Sequence, residues 1–598
     1  MDGDGTLRTK LAALAAVMLA AGAVPAAAQS SREYFTARLG EQHAPRQLDQ
    51  ASRDYYVQVF AAIDRRDWSA AQSLLAQRDG LLHPVAQAEL FLAANSPRIE
   101  LPQIQAWMAL GRNLPEADQL NRLAAARGAT ELVPTPSEQP VYPSGALTRR
   151  TRPASVNDGT MPADVAKAIQ DKITNDDPDA ARALLDGVDA VLSSDARAEW
   201  RERIAWSYYI ENRDPEALAL AATVSAGTGP WVAEGEWTAG LAGWRLSDCT
   251  QAGGGFERAA YGAANPELRA AGYYWGSRAA LRCRQPQHSI ELLRAAARTD
   301  ETLYGMLAAE QLGQAMPERL AHADFTADDW QRVGGNENVR IAIALSEIGR
   351  DKLASAVLLH QARIGAASDY DVLSRLAREL SLPSTQLYMA NNAPRGARAD
   401  FAAYFPAPKW QPANGWHVDP ALAFAHALQE SNFRAEAVSP ANAQGLMQIT
   451  PMTVRQHAPS LGLSATQVNI FDPATNLAFG QQNLEMLRDD PATGGTLPKI
   501  MAAYNAGLQP VGRWNTAVRD QGDPLLYMES IPYWETRSYV AIVTRNYWMY
   551  EREAKAPSQS RIALAQNAWP RFPGATPQPQ PSGHIYLSAQ RETPGEPN

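Results

Sequence analysis

The chain has 598 residues, with 55 Lys and Arg against 64 Asp and Glu. That is more than one hydrophobic core usually supports, so several domains are expected. A formal net charge of −9 argues against nucleic acid as a partner, since that needs clustered basic residues, and against long-range attraction to anionic polymers.

In chain order, residues 1–28 are expected to be a secretory signal. Arg8 and Lys10 precede an apolar run from Leu11 to Val24, and Ala26-Ala27-Ala28 offers a small-residue cleavage site. The run is too short to span a bilayer, which takes roughly 20 residues. No later stretch is long and apolar enough to cross a membrane, so an exported, soluble protein is expected.

Residues 29–334 are expected to form an α-superhelical solenoid. Segments such as "AWSYYIENRDPEALALAATV" carry apolar stripes at helical spacing around a polar turn, and periods of roughly 30–40 residues fit a degenerate repeat of helical hairpins. Trp206, Tyr209, Tyr273 and Trp275 alternate with alanines, which suits close antiparallel helix packing. Prolines 134, 136, 140, 143, 153 and 162 interrupt the pattern and predict a long loop. Cys249 and Cys283 lie 34 residues apart, a spacing that suits equivalent places on successive hairpins. In an oxidising compartment a disulfide and a pair of buried thiols are both open, and two cysteines alone make no zinc site. Strand signals are scarce, so the fold class is all-α.

Residues 335–403 are expected as a helical linker domain and 404–555 as a domain of different chemistry. Residues 556–598, rich in Pro, Gln, Ser and Gly, are expected as a disordered tail. In 404–555, Asp419-Pro420 reads as an N-cap with proline at the first helical position. The helix that follows places Glu430 in its last turn, against the negative end of the helix dipole. A buried carboxyl there has its neutral form favoured, as a general acid requires. By itself this helix fits a solvated surface glutamate better than a catalyst.

Four blocks change that balance: Glu430-Ser431, then "GLMQ" at 445–448, "AAYNAG" at 502–507 and "IPYWETRSYV" at 531–540. In this order they resemble the soluble lytic transglycosylases, enzymes that cleave peptidoglycan in the periplasm. "DETLYGMLAAEQLG" at 300–313 is similar to a further family element. The resemblance implies a C-terminal goose-type-lysozyme-like helical catalytic domain behind the solenoid and linker.

It also implies Glu430 as the catalytic acid and base. Ser439 would bond near the substrate's acetamido group, Gln448 and Met447 would line the groove, and Tyr504 would bring its hydroxyl close to Glu430. Glu535 would be a polar contact in the groove wall. Asn505 is a weaker candidate for substrate contact, set against a local backbone role. Gly445, Gly507, Arg537 and Tyr539 are expected to be mainly structural, and "FDPATNLAFG" at 471–480 receives no chemistry. Two departures from the family pattern are Leu428, where arginine is common, and Thr450, where methionine is frequent.

The implied reaction uses one glutamate, a substrate acetamido group as nucleophile, and no metal or nucleotide cofactor. It releases 1,6-anhydromuramic products. The alternatives are a hydrolytic muramidase and a non-catalytic helical glycan-binding scaffold. Implied partners are peptidoglycan strands and proteins of cell-wall synthesis or division, with the chain itself a monomer.

Overall fold

The computed structural model describes residues 30–320 and 323–574. The expected signal segment and residues 575–598 lie outside them. Among the described residues there are 28 α-helices and one two-stranded antiparallel sheet, Val141–Pro143 against Asn392–Pro394. The fold is all-helical, and no described helix is long and apolar enough to cross a membrane.

Many helices begin the way their sequence dictates. Asp177-Pro178, Asn265-Pro266, Asp419-Pro420, Asp472-Pro473 and Asp523-Pro524 each place an accepting side chain at the N-cap and proline one residue later. The proline lacks an N–H that would have no intrahelical partner there. Between residues 231 and 297, successive antiparallel helices interlock through large rings. Trp237, Phe256 and Trp275 from three neighbouring helices meet with centroids 5.2 to 6.5 Å apart. Cys249 and Cys283 are joined by a disulfide that ties the start of the Cys249–Gly262 helix to the end of Pro266–Arg282.

Packing divides the chain differently from its order. One core gathers residues from the Gln50–Ala126 helices together with residues 325–403. A second gathers Phe35, the helices from Ala163 to Gln311, and residues 402–572. The expected boundary between 334 and 335 therefore falls inside one core, with Val333 and Val339 on either side of it. The expected 29–334 unit is split between the two cores. The proline-rich stretch after residue 128 carries the chain from one to the other. Helices buried by short repeats need any complementary apolar face, and the nearest in sequence is not required to supply it.

The expected tail is also ordered through Gly574. Ser558 opens a helix at Gln559–Ala565, Ser560 accepts from the Trp548 indole at 2.8 Å, and Leu564 and Phe572 are buried. Thr496 and Arg571 form an isolated β-bridge. Composition favoured disorder here, but a few apolar side chains suffice to seal an existing core.

Candidate active site

Three helices position the site: Pro420–Ser431, Leu497–Ala506 and Trp534–Glu553. The first is buried from Pro420 through Leu428. Its N-cap Asp419 accepts from the Ala421 amide at 3.0 Å, the Ser31 hydroxyl at 2.6 Å and the Tyr547 hydroxyl at 3.1 Å. The helix stops at Asn432 and Phe433, both left-handed, with φ of 52° and 59°. Glu430 thus sits one residue from the end of a rigidly held helix, half-buried.

The Glu430 carboxylate accepts a hydrogen bond from the Tyr539 hydroxyl at 2.6 Å. Burial pushes its pKa up to about 7; the Tyr539 bond opposes this, and the negative charge of Glu535 adds to it. Desolvation penalises the ionised form most in such a site. The Tyr539 oxygen also lies 2.8 Å from Nδ1 of His426, one turn before Glu430. His426 is fully buried, its pKa is pushed down to about 3 by burial, and its Nε2 has no partner among the described residues. A neutral imidazole accepts or donates at Nδ1 according to its tautomer. When Glu430 is ionised, Tyr539 donates to it and His426 donates to Tyr539. When Glu430 is protonated on Oε1, it donates to Tyr539, and Tyr539 donates to His426 only in the tautomer that carries its proton on Nε2.

The Gly-Leu-Met-Gln turn is clamped from two sides. Ser431, the residue after the candidate acid, donates its hydroxyl to the Leu446 carbonyl at 2.8 Å. Asn476, fully buried, accepts from the Met447 amide at 2.8 Å and donates to the Gln444 and Ile470 carbonyls at 3.0 and 2.8 Å. Gly445 adopts φ +77°, and a Cβ there would meet the Asn476 amide nitrogen at 2.1 Å, so no other residue fits.

The expected residues gather around this frame, with several changes of role. Tyr504 is electrostatically within reach of Glu430, but its hydroxyl donates to the Met447 carbonyl at 2.8 Å. The hydroxyl on Glu430 belongs to Tyr539, which motif reasoning treated as mainly structural. Met447 cannot line a groove with its side chain, which is 0% exposed and packed against Gly480; it serves through its backbone. Ser439 accepts from the Ala443 amide at 3.0 Å, holding the loop before the turn. Gln448, at φ 50°, donates to the Gly445 carbonyl at 2.9 Å and stays half-exposed. Asn505 accepts from the Thr536 hydroxyl at 2.6 Å, coupling two of the site helices. Glu535 is exposed and close enough to Glu430 to shift it.

Arg537 is buried and stacks on Trp206 and Trp534, with centroid distances of 3.9 and 4.7 Å. Leu428 is buried in the core, and Thr450 caps the Pro451–His457 helix by accepting from the Thr453 amide at 3.2 Å. Sequence reasoning missed His426 and Asn476. Asn476 was within reach of it, as a polar residue inside an apolar helix face of a family-like element.

Residues 410–526 match the model of the Transglycosylase SLT domain. That match covers about a fifth of the chain, in its C-terminal part. The chain is 33% identical over 129 residues to the soluble lytic murein transglycosylase of Escherichia coli K12, covering 21% of this chain and 20% of that protein. It is 30% identical over 159 residues to the soluble lytic murein transglycosylase of Salmonella typhimurium, covering 26% of this chain and 24% of that one. The matched stretches thus span about a quarter or less of each relative's length. Over nearly the whole chain the fold is similar to the X-ray structure of lytic transglycosylase Slt from Pseudomonas aeruginosa, with TM-score 0.50, 18% identity, and coverage of 95% of this chain and 97% of that one. The residues that match the domain model include Glu430, the 445–448 turn and Tyr504 but end before Glu535 and Tyr539.

Proposed function

We propose that this chain is a periplasmic lytic transglycosylase that cleaves the bond between N-acetylmuramic acid and N-acetylglucosamine in peptidoglycan. The carrying observation is Glu430, a half-buried carboxyl raised to about 7 and bonded to Tyr539 at 2.6 Å. A carboxyl tuned near neutrality can give a proton and then take one back.

In this mechanism Glu430 protonates the glycosidic oxygen, and the bond to the muramic anomeric carbon breaks. The muramic acetamido oxygen forms a bond to that carbon, as in substrate-assisted glycosidases. Glu430, now ionised, takes the proton of the muramic 6-hydroxyl, whose oxygen displaces the acetamido oxygen and closes the 1,6-anhydro ring. Tyr539 holds the carboxylate oriented in both steps, and Gln448 and Glu535 contribute polar contacts along the strand. Ser439 and Tyr504 support the loop that shapes the groove.

A second possibility is favoured by Glu535, an exposed carboxylate close enough to perturb Glu430. It could activate water, giving hydrolysis with reducing ends. Mass spectrometry of products from purified peptidoglycan separates the two. Anhydromuramic ends are expected from the parent, and Glu430→Gln should lose at least about 10³-fold in turnover while still binding strands. Reducing ends, abolished in Glu535→Gln, would overturn the lyase assignment.

A further inference from the structure

His426 is a buried titratable group at the site to which the proposed reaction gives no part. It lies one turn before Glu430 on the same helix and is 0% exposed. Its ring packs against those of Tyr504 and Tyr539, with centroids 4.6 and 5.8 Å apart. No charged neighbour shifts it: burial alone pushes its pKa down to about 3. The groups that face Glu430 are Tyr539 and Glu535 from the Trp534–Glu553 helix and Tyr504 from the Leu497–Ala506 helix. While Glu430 titrates, the imidazole is therefore neutral and carries a single proton, on Nδ1 or on Nε2.

Two short contacts decide which. The Tyr539 oxygen lies 2.6 Å from Oε1 of Glu430 and 2.8 Å from Nδ1 of His426. Tyr539 has one proton to share between them. An ionised carboxylate has none to give, so the hydroxyl proton lies toward Oε1 and Nδ1 must supply the proton of the second contact. Reversing the chain would require the ring proton to move from Nδ1 to Nε2. Nε2 is buried with no partner among the described residues, so nothing there delivers a proton, and an N–H formed there would be a stranded donor. Oε2 of Glu430, by contrast, accepts no hydrogen bond from the described residues, and Glu430 is only half-buried.

We propose that His426 is a positioning residue: locked with its proton on Nδ1, it keeps Tyr539 a permanent donor to Oε1 and leaves Oε2 as the oxygen of Glu430 that gives and takes the reacting proton. The inference rests on the function proposed above. His426 itself touches no substrate and exchanges no proton in either step.

Neutron diffraction from deuterated crystals of the full chain, at pH values on either side of the Glu430 pKa, locates these protons and needs no variant. The ring proton is expected on Nδ1 at both, with Glu430 protonated on Oε2 at the lower one. A ring proton on Nε2, or a Glu430 proton on Oε1, would overturn the inference. Kinetics supply the second arm. Loss of the donor in His426→Leu weakens the bond from Tyr539 to the ionised carboxylate. A fall of about tenfold in kcat on peptidoglycan is expected, with KM nearly unchanged and the basic limb of the pH profile moved upward. His426→Asn, whose side-chain N–H stands near the place of Nδ1, should recover most of the rate and return the limb. Equal rates in the two variants with an unmoved limb would leave His426 a packing residue only. An Nε2 proton in a chain that still cleaves peptidoglycan sinks this inference alone, and a parent chain that cleaves none sinks the function on which it rests.

Discussion

Glu430 acts, in the proposed reaction, at a pH set by two opposed influences. Burial raises its pKa to about 7, and the Tyr539 hydroxyl holds it down by stabilising the ionised form. A general acid must be protonated to start the reaction, so activity falls as pH rises through this pKa. Tyr539→Phe removes the stabilising bond, the pKa rises, and the basic limb of kcat/KM moves upward. A shift of about one pH unit is expected, since a hydrogen bond to a charged group contributes roughly 1.5–3 kcal/mol and one unit corresponds to about 1.4 kcal/mol. A pH–rate profile checks it; an unmoved or lowered limb would mean that Tyr539 does not govern Glu430. His426 sets the orientation of Tyr539 from within the helix that carries Glu430, a link no motif signalled.

At the scale of elements, the site depends on a turn with no regular structure of its own. Residues 445–448 are held by Asn476 from the Pro473–Asp489 helix and by Ser431 from the helix bearing Glu430. Tyr504 in turn rests on the Met447 carbonyl. Asn476→Ala leaves a buried amide and two carbonyls without these partners, at a cost of about 2–4 kcal/mol. Urea denaturation should show that loss. Turnover should fall with it under native conditions, because the turn that shapes the groove is released. Wild-type stability in this variant would show that other contacts hold the turn.

At the scale of the molecule, the two cores are locked by buried charge. Arg378 lies among the helices that share a core with residues 44–124, and it pairs with Glu553 at the end of the long site helix. Asp324 bridges Arg38 at 2.5 Å and Arg378 at 3.2 Å. Arg378 and Glu553 are almost wholly buried, with side-chain exposures of 1% each. Removing one partner of such a pair strands the other charge. Glu553→Ala leaves Arg378 only the Asp324 carboxylate at 3.2 Å and is expected to cost up to about 3 kcal/mol, the lower end for a stranded buried charge, read as a lowered urea midpoint. It should also expose the junction between the cores to proteolysis before the cores themselves. Cleavage beginning inside the 163–311 helices would argue against this junction as the lock.

Much of this was legible in the linear chain because its causes are local. Helix starts follow from Asp-Pro pairs, and the all-helical class from the period of apolar residues. Glu430, the 445–448 turn and the 502–507 block were singled out by the resemblance of four ordered blocks to a known family, which one helix-end glutamate could not have supplied. Contacts between distant segments were not legible, because hydrophobic burial specifies only that a face be covered and leaves its cover open. Thus residues 44–124 took their partner from 325–403, residues 556–574 folded onto a core instead of trailing away, and Met447 turned inward. The hydroxyl on Glu430 came from Tyr539, since packing three helices together decides which of two nearby tyrosines reaches the carboxylate. The chemistry of the proposed site is written in residue identity, and its geometry comes from helices brought together across more than a hundred residues of chain.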